Sequence, residues 1–155
     1  LTRPPADLRS ESFDHVIANP PYFLGGTLGQ DAGRAQARQE QTPMAEWVSS
    51  GLRRLRPGGA LTLIQRADRL DALIVALAGR AGDITILPIA ARQGREAGRI
   101  VITARKGARG PLRVLAPFIM HENPAHLADG EDLSPAASAV LREGAPLTNL
   151  FAKVS

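Results

Sequence analysis

The sequence predicts an α/β domain with parallel strands and an antiparallel hairpin at the end of the sheet. Short apolar runs alternate with segments whose large apolar residues recur every three to four positions, which is typical of alternating strands and helices. The first two runs are joined through a helix and should be parallel, with a right-handed crossover. The last two are joined by a loop without a helical pattern and should be antiparallel. The four runs lie at about 13–18, 60–64, 83–87 and 99–104.

Composition limits the class of protein. The chain has 155 residues, 44% of them hydrophobic, which is enough for a single domain over 1–155 with its own core. We place the core at about 10–106 and a C-terminal extension at about 107–155. The absence of cysteine excludes disulfides and thiolate metal sites, and no apolar run is long enough to span a bilayer. We therefore expect a cytoplasmic protein without a membrane partner.

The net charge is basic and is carried by arginine. Lysine and arginine number 19 against 15 acidic residues, giving +4, and all but two of the 19 are arginine. Because guanidinium groups bind phosphates in a bidentate way and stack on bases, this bias favours a nucleic-acid partner. High genomic GC content produces the same bias, so both explanations stay open. The oligomeric state also stays open.

Capping residues and apolar spacing predict two helices between the strands. The first has Thr42 as its cap, Pro43 in its first position and a stop at 57–59, which reads Pro-Gly-Gly. The second covers about 68–79 and is capped by Asp68.

The C-terminal extension has a weaker pattern. Residues 112–120 are expected to form a short additional strand or a packing arm. A last helix should start after Ser134, with Pro135 next, and end at Gly144. His121 and His126 superficially match a zinc helix, but they are five residues apart, and a proline between them would break the helix. We therefore predict no metal site.

The first apolar run ends in Asn19-Pro20-Pro21-Tyr22, where a buried strand should leave its sheet. Open α/β sheets bind their ligands at the carboxyl ends of their strands. Because two consecutive prolines stiffen the backbone, they hold the Asn19 carboxamide and the neighbouring carbonyls in fixed directions. An amide acceptor beside an aromatic ring suits a planar group that carries an NH2.

The segment 23–41 follows the motif and is poor in large apolar side chains. Loops of this length in compact domains are usually functional or disordered, and we interpret this one as a lid that contacts substrate. Arg34 and Arg38 lie four positions apart and share a face if the segment becomes helical. A solvated loop without a role is the alternative.

The tetrapeptide resembles the signature of S-adenosylmethionine-dependent amino-methyltransferases, which methylate exocyclic amines of adenine or side-chain amides of glutamine. The resemblance implies the C-terminal part of a Rossmann-like class I methyltransferase sheet. It implies that Asn19, Pro20 and Tyr22 are catalytic: the Asn19 side chain and the Pro20 carbonyl accept hydrogen bonds from the target NH2, and Tyr22 stacks on the target. Asn19 would border the cofactor, S-adenosylmethionine, while Pro21 and Phe23 would contact the substrate.

In this family a glycine-rich loop and acidic residues hold the cofactor, tens of residues before the motif. Only eighteen residues precede the motif here, without a glycine-rich turn, and Asp7 is the only carboxylate near the place of the last acidic element. We therefore expect the cofactor-binding part upstream of Leu1 and an inactive isolated chain.

Within the family the closest resemblance is to bacterial adenine-N6 methyltransferases of valine tRNA, over about residues 10–120. It rests on the motif, on Trp47, on the segment 56–61 and on the terminal hairpin with its basic loop. It implies methyl transfer to the N6 amine of adenine in tRNA. Three alternatives stay open: methylation of a glutamine amide in release factors, methylation of adenine in DNA, and a non-catalytic binding or scaffold fragment.

Overall fold

The computed structural model describes residues 10–21, 43–123 and 132–151. Strands and helices alternate from residue 13 to residue 90, as the apolar pattern predicts, and the strands that follow up to residue 119 have no helix between them. In chain order the elements are β1 (Phe13–Ala18), α1 (Met44–Arg54), β2 (Leu55–Arg66), a 3-10 turn (Ala67–Arg69), α2 (Leu70–Leu77), β3 (Ala81–Ala90), β4 (Ala97–Lys106), β5 (Arg113–Val114), β6 (Phe118–Ile119), α3 (Pro135–Glu143) and α4 (Thr148–Phe151).

These strands form one mixed sheet in the order β1-β2-β4-β3-β5, with β6 also paired to β3. The parallel pairing of β1 with β2 and the antiparallel pairing of β3 with β4 are both as predicted. β4 lies between β2 and β3, so it is the strand that runs against the others. The expected short strand of the extension is present as β5 and β6, which add to the outer side of β3 in parallel.

The core lies between the sheet and helices α1 and α2. Leu61 and Leu63 of β2 point to the same face as buried residues of both helices, among them Leu52 and Leu73. Gly51 allows α1 to approach the sheet closely, since a Cβ there would lie 2.7 Å from a methyl carbon of Leu61. Helix packing on this one face therefore depends on a small residue at the contact point.

The boundary between α1 and β2 differs from the prediction. α1 begins at Met44 after Pro43 and ends at Arg54, whereas β2 begins at Leu55 and continues through the Pro-Gly-Gly segment. Phe13 pairs with Leu55 and His15 pairs with Ala60, so β2 has more residues than β1 between these two pairs. The extra residues form an irregularity in β2, in which Gly58 has φ +76°. The predicted Thr42 cap lies outside the described residues.

The predicted cap of the second helix is wrong, and that of the last helix is confirmed. Asp68 lies in the 3-10 turn, and its carboxylate accepts from the Arg66 guanidinium at 2.6–3.2 Å instead of capping α2. Ser134 Oγ accepts from the Ala137 N–H at 3.1 Å, and α3 ends at Glu143 with Gly144 as its C-cap at φ +69°. Within the described ranges, no helix is long and apolar enough to cross a bilayer.

Candidate active site at the carboxyl end of β1

Asn19 stands at the carboxyl edge of the sheet. The parallel ladder of β1 and β2 ends with the pair Ala18–Leu63, and the chain leaves the sheet in the next residue. Asn19 and Pro21 are exposed, whereas Pro20 between them is buried. The buried proline anchors the turn, and the exposed Asn19 presents its carboxamide at the edge where sheets of this class bind ligands.

Gln65 is a site residue that sequence reasoning missed. Its side chain is 1% exposed, and its Nε2 donates to the Pro20 carbonyl at 3.3 Å. Its Oε1 accepts from the backbone N–H of Arg66 at 2.9 Å. The signal in the sequence was a polar residue in the same alternating row as Leu61 and Leu63, which marks a buried amide with a specific partner.

Of the predicted site residues, the structure brings together Asn19, Pro20 and Pro21. The whole predicted lid, 23–41, lies outside the described residues, and so do the other four predicted site residues: Tyr22, Phe23, Arg34 and Arg38. Asp7 and His126 also lie outside them. The roles predicted for these residues therefore stay predictions.

Arg66 follows Gln65 directly and brings positive charge to the same edge. Its ion pair with Asp68 has a closest contact of 2.6 Å, and both side chains are more than half exposed. Asp68 raises the Arg66 pKa through this hydrogen-bonded contact, and Arg66 lowers the Asp68 pKa in the same way. Arg99, in the antiparallel β4, is the ladder partner of Arg66, so two guanidinium groups start from neighbouring backbone positions.

The basic loop after β3 contains two arginines in different environments. Arg95 is exposed, whereas Arg92 is largely buried, with Nη1 2.8 Å from Asp132 Oδ2 and a further hydrogen bond to the Asn123 carbonyl. His121 Nδ1 lies 2.8 Å from the other Asp132 oxygen. Asp132 therefore connects the loop to the C-terminal extension, and the Arg92 guanidinium is occupied by contacts within the protein.

The groups at the end of β1 can form hydrogen bonds with a ligand. In the described ranges, no group of three or more histidine and acidic side chains is placed to hold a metal ion. The Pro20 carbonyl is a hydrogen-bond acceptor, and the exposed Asn19 carboxamide offers an acceptor oxygen beside its NH2 donor. They fit a ligand that brings its own N–H groups, such as an amine or amide.

Comparison with solved structures decides the fold. The chain matches the crystal structure of a predicted O-methyltransferase from Agrobacterium tumefaciens with a TM-score of 0.66 and 31% identity, covering 86% of this chain and 52% of that one. The fold is a methyltransferase fold. The predicted mixed sheet of class I methyltransferases, with parallel strands and an antiparallel hairpin, is thereby confirmed.

This chain with a methyltransferase fold also matches curated proteins in amino-acid sequence. It is 40% identical over 70 residues to a tRNA1(Val) (adenine(37)-N6)-methyltransferase of Shewanella sediminis, and 27% identical over 99 residues to that of Shewanella pealeana. These matches cover 43% and 63% of this chain and 28% and 38% of the relatives, so the chain spans well under half of their length. The predicted resemblance is confirmed over that part. No protein-family model matches the chain.

Proposed function

We propose that this chain carries the acceptor side of an S-adenosylmethionine-dependent N6-adenine methyltransferase that acts on tRNA. The observation that carries the proposal is the exposed Asn19 at the carboxyl end of β1, followed by a Pro20 that is buried and hydrogen-bonded through its carbonyl. The names of the partly matching relatives support adenine in tRNA as the target.

In the proposed reaction the target amine is held by acceptors. Asn19 Oδ1 accepts one N–H of the adenine N6 amine, and the second lone pair of the Pro20 carbonyl accepts the other. These two bonds restrain the amine lone pair toward the incoming methyl group, so the rate gain comes from alignment and electrostatics. Tyr22 stacks on the adenine, and Pro21 and Phe23 complete the surface that holds it.

S-adenosylmethionine supplies an activated methyl group on a positively charged sulfur. Of the described residues, we assign a contact with this cofactor to Asn19, which is exposed beside the strand end. We assign the other contacts of the cofactor to parts of the protein outside the described ranges. We propose that the protein acts on its tRNA substrate in the cytoplasm.

The positive charge at the carboxyl edge supports RNA as the substrate. Arg95 is exposed in the loop after β3, and the half-buried Arg69 lies in the turn after β2, on the edge that presents Asn19. Exposed guanidinium groups bind RNA phosphates, while an unstacked base enters the site. Affinity for tRNA should therefore fall as salt is raised.

Replacement of Asn19 by alanine tests the proposal in the complete protein that contains this chain. We expect kcat for tRNA methylation to fall by about 10²–10³-fold, the range for loss of one preorganised polar group in an active site. The affinity for tRNA should stay within about twofold, because phosphate contacts dominate it.

Asp14→Asn is the matched control, since Asp14 is exposed at the opposite end of the same strand. Its kcat should equal that of the unmodified protein. Full activity of Asn19→Ala would contradict the assignment. If the protein methylates duplex DNA or a release-factor glutamine and does not methylate tRNA, that acceptor replaces tRNA as the substrate.

A further inference from the structure

Gln65 stands out because an amide occupies a core position. Along β2, Leu61, Leu63 and Gln65 alternate onto the face that packs against the helices, and each is 1% exposed. Burial of an amide is unfavourable unless its donors and acceptors are paired, whereas a third leucine would continue the row without that requirement. Gln65 and Thr85 are the buried polar residues in the described part of the chain.

The orientation of the Gln65 carboxamide follows from its partners. The Arg66 N–H is a donor and the Pro20 carbonyl is an acceptor, so the oxygen must face Arg66 and the nitrogen must face Pro20. A flipped amide would place donor against donor and acceptor against acceptor. The contact with Pro20 is therefore a defined N–H···O bond, 3.3 Å between nitrogen and oxygen.

This bond continues the pairing of β1 and β2 beyond the backbone ladder. The last registered pair is Ala18–Leu63, and two residues further along each strand are Pro20 and Gln65. Proline has no N–H to offer a ladder, and its ring prevents regular strand geometry. The Gln65 side chain provides the donor for the Pro20 carbonyl at this position and fixes the turn where backbone pairing has ended.

We propose that Gln65 is a positioning residue for methyl transfer: its carboxamide holds the Pro20 carbonyl, and through the preceding peptide the Asn19 backbone, in the direction that the target amine requires. This rests on the proposed function. A carbonyl oxygen has two lone pairs, so the bond from Gln65 leaves one for the substrate. Small errors in the direction of such an acceptor are costly, because a displacement of about 1 Å in a reacting pair lowers rates about 10²-fold.

The test compares Gln65→Leu with the unmodified enzyme in the complete protein. Leucine keeps the core position apolar and removes the donor to Pro20. Well below the melting temperature, we expect kcat for tRNA methylation to fall by about tenfold or more, while KM for tRNA stays within about twofold. The melting temperature should also fall, because the Pro20 carbonyl and the Arg66 N–H lose their partner. If the role of Gln65 is purely structural, the variant will have a changed melting temperature, but its kcat at temperatures well below melting will equal that of the unmodified enzyme.

Gln65→Glu adds a pH readout. The glutamate keeps an acceptor for the Arg66 N–H, but only its protonated form offers a donor to Pro20. Since burial raises a carboxyl pKa, kcat of this variant should rise toward that of the unmodified enzyme as pH falls through the raised value. The unmodified enzyme should lack this step in its pH profile. Thr85→Val, at the other buried polar position, should leave kcat unchanged.

The outcomes separate the two proposals. Absence of tRNA methylation by the unmodified protein would overturn the proposed function. An active unmodified protein with Gln65→Leu folded and within twofold of its kcat would overturn the role of Gln65 alone. Should Gln65→Leu not fold, the pH profile of Gln65→Glu decides: a profile parallel to that of the unmodified enzyme overturns the positioning role.

Discussion

The two edges of the sheet bury their polar contacts to different depths. At the amino edge, Arg56 and Asp14 form an ion pair whose side chains are 59% and 68% exposed. At the carboxyl edge, Arg92 and Asp132 are 13% and 9% exposed, and Gln65 is 1% exposed. A contact shielded from water is stronger and more directional, so the edge that presents Asn19 is the more rigidly specified of the two.

Each edge also contains a contact of the other kind. The amino edge also contains part-buried contacts, such as Lys106 Nζ donating to the Leu55 carbonyl at 2.6 Å. The carboxyl edge also contains an exposed pair, Arg66–Asp68. When one contact of each kind is broken, the loss of stability should therefore increase with the burial of the contact, whichever edge the contact is on.

The largest effect is expected for Arg92→Met at the carboxyl edge. Methionine keeps the aliphatic volume but leaves the buried Asp132 carboxylate without the guanidinium, and breaking a buried ion pair in this way costs about 3–5 kcal/mol. Urea unfolding should show that loss of stability. Arg95→Met, in the same loop but exposed, is the matched control and should stay within about 0.5 kcal/mol of the unmodified protein. Equal stabilities for the two variants would show that the burial of the Arg92 contact does not set the cost of losing it.

A smaller effect is expected for Lys106→Met at the amino edge. The variant loses the donor to the Leu55 carbonyl, at the point where α1 passes into β2. Since this carbonyl is part-buried, the loss should be about 1 kcal/mol, typical of a single hydrogen bond. Urea unfolding measures it, and kcat of the complete protein should not change. A fall in kcat at unchanged stability would mean that the amino edge also shapes the site.

The smallest effect is expected for Asp68→Asn. Arg66 lowers the Asp68 pKa, so the folded state favours the ionised carboxylate. The pair therefore stabilises the fold above the ordinary carboxyl pKa of 3.8, and this contribution is lost as pH falls through the lower folded value. Melting curves of the two proteins should differ slightly at neutral pH and converge in acid. A difference that grows as pH falls would reverse the sign of this coupling.

Local signals predicted most of the fold. The apolar runs gave β1 to β4, and the absence of helical spacing between the last two gave their antiparallel pairing. The Pro-Gly-Gly segment lies within β2 and is not a simple stop; the Arg105 guanidinium donates to the Gly58 carbonyl from 47 residues away, a contact that has no local signal in the sequence. Asp68 was misjudged as a cap because Arg66, two residues earlier, competes for its carboxylate.

The site was predictable only in its exposed part. Asn19 and the prolines form a contiguous motif, so their chemistry is visible in the sequence. The partner of Pro20 is visible only when the register of two strands is known, since Gln65 lies 45 residues further along the chain. The same holds for Arg92, whose partner Asp132 lies 40 residues away. Long-range pairing of polar side chains has no local period from which it could be inferred.

The position of β4 in the sheet affects β2 while the protein is being synthesised. β2 pairs with β4, and β4 ends at Lys106, 40 residues after the end of β2 at Arg66. At synthesis rates of about 5–20 residues per second, a ribosome needs about 2–8 s for that stretch. Throughout this interval, one side of β2 lacks its ladder partner, so its backbone N–H and C=O groups are open to pairing with other chains. Translation speed between these two residues therefore sets how long the molecule is exposed to aggregation.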